Sequence, residues 1–172
     1  LAAPMSATAP AGAHDGHEHD GYQVLVFTGT QGADHASTAK GVNAIRGLGA
    51  NNGFTIDVSR NGTVFTDENL ANYDAVVFLN TSGDVLGDLQ QEAFERFVKA
   101  GHGYVGVHAA VEAEPEWSFY RDLVGTSATG TVATGAGVID VADRFHPSTS
   151  TISRELTLTE EYPNFTGNVR GT

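Results

Sequence analysis

Residues 75–107 read AVVFLNTSGDVLGDLQQEAFERFVKAGHGYVGV, and this stretch decides the fold class of the chain. It opens with a short apolar run, as expected for a strand that is buried on both faces. Asp88 and Gln91 then form a capping-box pattern, which starts a predicted helix that ends at Gly101. An apolar segment at residues 104–107 follows directly, so the order is strand, helix, strand.

The same alternation of strands and helices is present closer to the N terminus. An apolar run at residues 24–27 predicts a buried strand, a helical pattern covers residues 35–48, and a second strand follows at residues 54–58. Strands that alternate with helices of this length favour a parallel sheet. The chain is therefore predicted to be an α/β protein with a three-layer, open, mostly parallel sheet and helices on both faces. Residues 138–141 and 156–158 are further predicted strands.

Length, charge and composition exclude several classes of function. The chain has 172 residues, enough for about one domain, and its 21 acidic and 9 basic residues give a net charge of −12. Such a chain repels phosphate backbones, so nucleic acid is not an expected partner. No apolar run approaches the roughly 18 residues of a membrane-spanning helix, so membrane insertion is not expected. Cysteine is absent, which excludes disulfides and thiol nucleophiles.

The N-terminal segment differs from the rest of the chain in composition. Residues 1–21 are rich in small residues without apolar periodicity, so they are predicted to be a disordered tail ahead of one domain at residues 22–172. A start of this kind resembles what remains after a signal peptide is removed, which favours a secreted or extracytoplasmic location over a cytoplasmic one. His14, His17 and His19 are closely spaced, so the tail is either a solvated linker or a ligand set for zinc or copper.

A ligand site is expected at the carboxyl ends of the parallel strands. Two of the turns at that edge supply Thr28 and Thr81 as candidate substrate-binding residues. The third turn has the sequence GVHAA at residues 106–110, in which small residues flank His108. This is the layout of a nucleophile elbow, a sharp turn between strand and helix that displays its middle side chain above the sheet.

Four residues form the predicted catalytic set. His108 is a candidate general base, metal ligand or hydrogen-bonding group for a polar substrate, and the alternative is a structural turn residue. His35 begins the first predicted helix just beyond the first strand, so it is expected at the same edge of the sheet as His108. Glu114 follows the elbow and Glu161 follows the last predicted strand. Both are candidate carboxylate partners for an imidazole, with solvated loop residues as the alternative.

Several separate segments resemble the ThuA-like family of trehalose utilisation. The resemblance is carried by VLVFTGTQGADHAS, FTDENLANYDAVVFLNTSGDVL and QQEAFERFVKAGHGYVGVHAA, and it continues in order through EPEWSFYRDLVG, DRFHPST and EEYPNF. It covers residues 22–165 and implies a flavodoxin-like fold similar to that of class I glutamine amidotransferases, with histidine in place of their cysteine. Because the chain has no thiol to form a glutamyl thioester, glutamine amidotransferase activity is excluded.

The resemblance also implies a ligand class and a set of pocket residues. Seven polar or aromatic positions of the family have counterparts here: His35, His108, Glu114, Trp117, Glu161, Asn164 and Phe165. The implied ligand is a small-molecule carbohydrate, in disaccharide or keto-sugar metabolism. Whether the chain is an enzyme stays open, because a non-catalytic carbohydrate- or partner-binding module and a metal-binding tail are the alternatives. The family domain extends beyond the position of Thr172, so the chain is expected to lack a C-terminal part.

Overall fold

The computed structural model describes residues 21–130 and 134–167. The chain forms two compact units, of which the N-terminal unit ends at Tyr120 and the C-terminal unit begins at Arg121. The predicted tail lies outside the described residues apart from Gly21, so its disorder stays a prediction.

A parallel sheet forms the centre of the N-terminal unit. Its four strands have the order β2-β1-β3-β4. They are β1 (Tyr22–Phe27), β2 (Phe54–Ser59), β3 (Ala75–Leu79) and β4 (Gly103–Val107). The register is regular across the sheet, where Val77 of β3 pairs with Val26 of β1 and with Val105 of β4. The predicted parallel α/β architecture is therefore confirmed.

Three helices connect the parallel strands, and a fourth follows the last of these strands. The connecting helices are α1 (Thr38–Asn52), α2 (Asp67–Leu70) and α3 (Asp88–Lys99), and α4 (Ser118–Val124) follows β4 and contains the boundary between the two units. α1 runs further than the pattern predicts, because the chain leaves the helical conformation only at Gly53, where φ is 76°. A left-handed glycine of this kind is a common helix end. No helix in residues 21–130 and 134–167 is long and apolar enough to span a membrane.

The two faces of the sheet have different cores. On one face, Val24, Val26 and Val77 pack with Val42 and Ile45 of α1. These three strand residues share a face because side chains alternate along a strand.

The opposite face of the sheet is aromatic. Phe78 of β3 stacks on Phe94 of α3 with ring centroids 5.4 Å apart, and it stacks on Tyr120 at 5.8 Å. Phe27 of β1 meets Phe65 edge-to-face at 5.0 Å. Because helices cover both faces, the sheet is the middle layer of three, as predicted.

The C-terminal unit contains short antiparallel pairs. Its strands are β5 (Ala128–Thr129), β6 (Thr134–Asp140), β7 (Glu155–Glu161) and β8 (Asn164–Phe165). β6 pairs with β7 and β5 pairs with β8, both antiparallel. β6 and β7 are longer than the segments predicted at residues 138–141 and 156–158, because the pairing extends past the apolar residues. Glu161 is therefore the last residue of a strand, whereas the sequence predicted it after the strand.

The aromatic face gives a direct test of the fold. Phe94 is fully buried and Leu89, on the same helix, is 74% exposed. We expect Phe94→Ala to lower the free energy of unfolding by about 3–5 kcal/mol, because it leaves a cavity against Phe78. Leu89→Ala should change it by less than about 0.5 kcal/mol. Urea denaturation followed by circular dichroism measures both, and equal losses would contradict the placement of α3.

Candidate functional site

His35 and His108 lie in contact at the carboxyl edge of the sheet. Their ring centroids are 4.7 Å apart and their planes meet at 81°. His35 lies between β1 and α1, and His108 directly follows β4. Since β3 separates β1 from β4 in the sheet, the two imidazoles meet across the end of β3. The predicted proximity of the two histidines is confirmed.

The backbone at His108 has the geometry of an elbow. Its φ is 55°, a left-handed value that is uncommon for a residue other than glycine. The small neighbours leave room for the turn, since a Cβ on Gly106 would lie 3.0 Å from Tyr104 Oη and 3.3 Å from Ala110 Cβ. The side chain of His108 is exposed. The sequence therefore predicted both the turn and the display of its middle residue.

The three loops at this edge are joined in the same order as their strands. Thr30 pairs with Ser82 and Gly83 pairs with Ala113, both in parallel. The Gln31 N–H donates to the Ser82 carbonyl at 2.9 Å, which strengthens the first of these links. The segments that carry the two histidines are thereby fixed on either side of the β3 loop.

Glu114 is buried and binds the loop after β3. Its Oε1 accepts hydrogen bonds from the backbone N–H groups of Val85 and Leu86, each at 2.9 Å. Its Oε2 accepts a hydrogen bond from Nε2 of Gln91 at 2.6 Å. The residue is 1% exposed. Burial raises the pKa of the Glu114 carboxyl, while the hydrogen bonds from Gln91, Leu86 and Val85 oppose that rise. These contacts give Glu114 a structural role, and its catalytic role stays a prediction.

Neither imidazole forms an ion pair with a carboxylate in the part of the chain that the structure describes. In the same residues, no group of three or more histidine, aspartate or glutamate side chains is arranged to hold a metal ion. His14, His17 and His19 lie outside the described residues, so zinc or copper binding by the tail stays a prediction. What the geometry offers is a pair of imidazoles that can hydrogen-bond a polar ligand.

The two candidate threonines are buried, and their hydroxyls are bound inside the protein. Thr28 Oγ1 donates to the Ser59 carbonyl at 3.4 Å, and Thr81 Oγ1 donates to the Phe27 carbonyl at 3.2 Å. These bonds link the end of β1 to the ends of β2 and β3. Both threonines thus stabilise the edge on which the histidines lie, and their contact with a substrate stays a prediction.

Trp117 packs into the aromatic layer against α3. Its ring lies 5.2 Å from Phe119, 6.2 Å from Phe94 and 6.3 Å from Tyr120. Phe119 in turn lies 5.7 Å from the amine of Lys99, the last residue of α3. The ring of Trp117 therefore contributes to the aromatic core of the N-terminal unit. Its stacking on a sugar stays a prediction.

Two predicted site residues belong to the C-terminal unit. Glu161 ends β7 opposite Thr134, and Asn164 begins β8 opposite Thr129. Both side chains are exposed. Their predicted roles beside the histidines stay predictions.

Asn80 is a residue of this edge that the sequence pattern did not single out. It directly follows β3, it is 4% exposed and its φ is 56°. Its Nδ2 donates to Thr38 Oγ1 at 2.9 Å and to Ser37 Oγ at 3.2 Å. An asparagine directly after a buried strand is a usable signal, because asparagine tolerates left-handed backbone and carries two donors on one nitrogen.

Comparison with known proteins defines the family of this chain. The sequence profile of the ThuA family, described as trehalose utilisation, matches residues 23–171. The chain therefore belongs to the ThuA family, which supports a carbohydrate-related role. No curated protein shows significant sequence similarity to it.

The fold is similar to that of solved ThuA-like proteins. One is a ThuA-like protein from Bacteroides uniformis, with a TM-score of 0.74 and 23% identity over 95% of this chain and 68% of that chain. Another is a ThuA-like protein from Parabacteroides merdae, with a TM-score of 0.67 and 16% identity over 84% of this chain and 62% of that chain. This chain thus spans about two thirds of the length of both structures, and the similarity confirms the predicted fold.

The contacts of Glu114 predict a large effect on stability. We expect Glu114→Ala to lower the free energy of unfolding by about 3 kcal/mol or more, since each buried donor left without a partner costs about 1–3 kcal/mol. Glu116→Ala, at an exposed neighbour, should change it by less than about 0.5 kcal/mol. Chemical denaturation of both variants measures the difference, and a small loss for Glu114→Ala would contradict the structural role.

Glu114 also predicts a pH dependence of stability. Because the pKa of Glu114 is raised in the folded state above its ordinary value of 4.5, the folded chain binds this proton more tightly than the unfolded chain. The stability contributed by this group is present at low pH and is lost as the pH rises through the raised pKa. We therefore expect the unfolding free energy of wild type minus that of Glu114→Gln to fall as the pH rises through the raised pKa of Glu114.

Urea titrations from about pH 4 to about pH 8 follow this difference. Glu114→Gln keeps an oxygen for the Val85 and Leu86 amides but cannot ionise, so it is the matched control. A difference that rises with pH would mean that the hydrogen bonds outweigh burial and that the pKa of Glu114 is lowered.

Proposed function

We propose that this protein binds a small carbohydrate at the His35–His108 pair and acts on it by proton transfer. The observation that carries the proposal is the contact between two imidazoles, 4.7 Å apart between ring centroids, at the edge where parallel sheets bind ligands. Membership of the ThuA family supports the choice of a carbohydrate as ligand.

The pair has the chemistry that a polyol requires. A neutral imidazole presents one N–H donor and one nitrogen acceptor, which matches the donor and acceptor capacity of a sugar hydroxyl. The rings meet at 81°, so their nitrogens point in different directions and can address different hydroxyls. An imidazole can serve as a general acid or as a general base, so two imidazoles offer one group for each role. Proton transfer of this kind serves isomerisation, elimination or hydrolysis.

The charge of the chain favours an uncharged ligand. Its net charge is −12, so the field of the whole protein opposes the approach of an anion. A neutral mono- or disaccharide meets no such barrier. The proposal therefore concerns unphosphorylated sugars.

A non-catalytic binding module is the second candidate function. It is favoured by the contacts of Glu114, whose carboxylate binds Val85, Leu86 and Gln91. A catalytic imidazole is usually oriented by a carboxylate or a carbonyl. Neither imidazole has a carboxylate partner within residues 21–130 and 134–167, and a pair without one would hold a sugar by hydrogen bonds and leave it unchanged.

Substitution of His108 separates the two functions. His108→Asn removes the imidazole and keeps a residue that tolerates the left-handed backbone. If the pair transfers protons, we expect turnover to fall by about 10²-fold or more, because this is the usual contribution of an acid–base group. If the protein only binds, wild type gives no product and His108→Asn weakens affinity modestly.

The measurements are calorimetric titration and NMR of the sugar, with trehalose and a panel of neutral mono- and disaccharides. His35→Gln should behave like His108→Asn, whereas His146→Gln, at an exposed histidine of the C-terminal unit, should behave like wild type. Absence of binding by wild type to every sugar of the panel, or wild-type behaviour of His108→Asn, would refute the proposal.

A further inference from the structure

We infer that Asn80 is a positioning residue that holds the two imidazoles of the site in contact. The consequence for ligand binding rests on the proposed function, whereas the contact between the rings does not. The inference starts from the place of Asn80 in the sheet. His35 and His108 meet across the end of β3, and Asn80 is the first residue after β3.

Asn80 is bonded to both segments that carry the histidines. Its backbone N–H donates to the carbonyl of Val107 at 3.2 Å, directly before His108. Its side-chain Nδ2 donates to Ser37 Oγ and Thr38 Oγ1, shortly after His35. One residue therefore connects the end of β4 to the start of α1.

A short turn joins His35 to Thr38 at the start of α1. The Thr38 N–H donates to the carbonyl of His35 at 3.0 Å. A bond from Asn80 to the Thr38 hydroxyl thus fixes the turn that contains His35. A shift of Thr38 away from Asn80 would carry the His35 backbone with it.

The start of α1 shows that this connection replaces a more usual one. Ser37 is the N-cap residue of α1, and a serine in that position ordinarily accepts an N–H of its own helix. Here the Ser37 side chain makes no such cap bond, and its Oγ accepts Nδ2 of Asn80 at 3.2 Å. The helix end is therefore held from the sheet edge.

The residue type fits the task. Within the described residues, Asn80, His108 and Glu114 are the non-glycine residues with positive φ, and all three lie in the loops after β3 and β4. Asparagine tolerates this backbone better than most residues, and its amide nitrogen supplies two donors at once. Asn80 itself is buried, whereas Thr38 is half-buried and Ser37 is exposed.

Asn80→Gly is the variant that isolates the side chain. Glycine accepts the left-handed backbone and keeps the N–H that binds Val107, so only the bonds to Ser37 and Thr38 are lost. Asn80→Asp is the conservative variant, because the hydroxyls of Ser37 and Thr38 can rotate to donate to a carboxylate. Asn69→Ala is the matched control, since Asn69 Nδ2 donates to the Val64 carbonyl at 2.8 Å and to neither histidine segment.

The first readout is the contact between the rings. It is detected as nuclear Overhauser effects between the ring protons of His35 and His108. We expect this signal to disappear in Asn80→Gly and to persist in Asn69→Ala and Asn80→Asp, although both Gly and Ala variants lose stability in urea. The double variant Ser37→Ala/Thr38→Val removes the same bonds from the α1 side and should also lose the signal. A wild-type signal in folded Asn80→Gly, or in the folded double variant, would overturn the inference.

The second readout is carbohydrate affinity. If only about a tenth of the Asn80→Gly molecules keep the rings together, the dissociation constant should rise about tenfold. Asn69→Ala should bind as wild type does. An unchanged affinity in a variant that has lost the ring contact would refute sugar binding at the paired imidazoles, while the lost contact would still support the positioning role of Asn80. If wild type binds no sugar, the proposed function fails, and the ring contact alone decides whether Asn80 positions the imidazoles.

Discussion

The placement of β3 between β1 and β4 is the constraint on which the rest of the structure depends. All five of its residues are buried, so it is fixed by apolar contacts on both faces. Val77 faces the aliphatic core under α1, and Phe78 faces the aromatic core under α3. Because β1 and β4 are both registered on β3, the loops that follow these strands lie on either side of its end. The contact between the two imidazoles is a result of this register.

The fold and the two histidines were predictable because both depend on repeated local patterns. Apolar runs at residues 24–27 and 75–79 mark strands buried on both faces, and the intervening helices require parallel crossovers. Small residues around His108 mark a sharp turn. Since the carboxyl ends of parallel strands meet at one edge, His35 could be placed next to His108 from topology alone.

The partners of the buried polar side chains were not predictable in the same way. Glu114 accepts hydrogen bonds from two backbone amides, and Thr81 donates one to a backbone carbonyl. Asn80 donates to two hydroxyls at the start of α1. Each of these choices depends on loop conformations that leave no periodic trace in the sequence. A carboxylate that follows a histidine in sequence predicts a partner for the imidazole, but sequence alone does not show that Glu114 hydrogen-bonds the loop after β3 and Gln91 of α3. Strand pairing placed Glu161 inside β7 for a similar reason, since pairing extends beyond the apolar residues.

The left-handed backbone at His108 restricts the side chains that evolution or mutagenesis can install there. Glycine, asparagine and aspartate adopt such a conformation at low cost, and β-branched residues do so only with considerable strain. Apart from histidine, none of the residues that tolerate this backbone has a ring with both a donor and an acceptor nitrogen. Variants with a random residue at position 108 should therefore fall into two groups. One group keeps the fold without the imidazole chemistry, and the other loses both, so no single substitution of His108 keeps both.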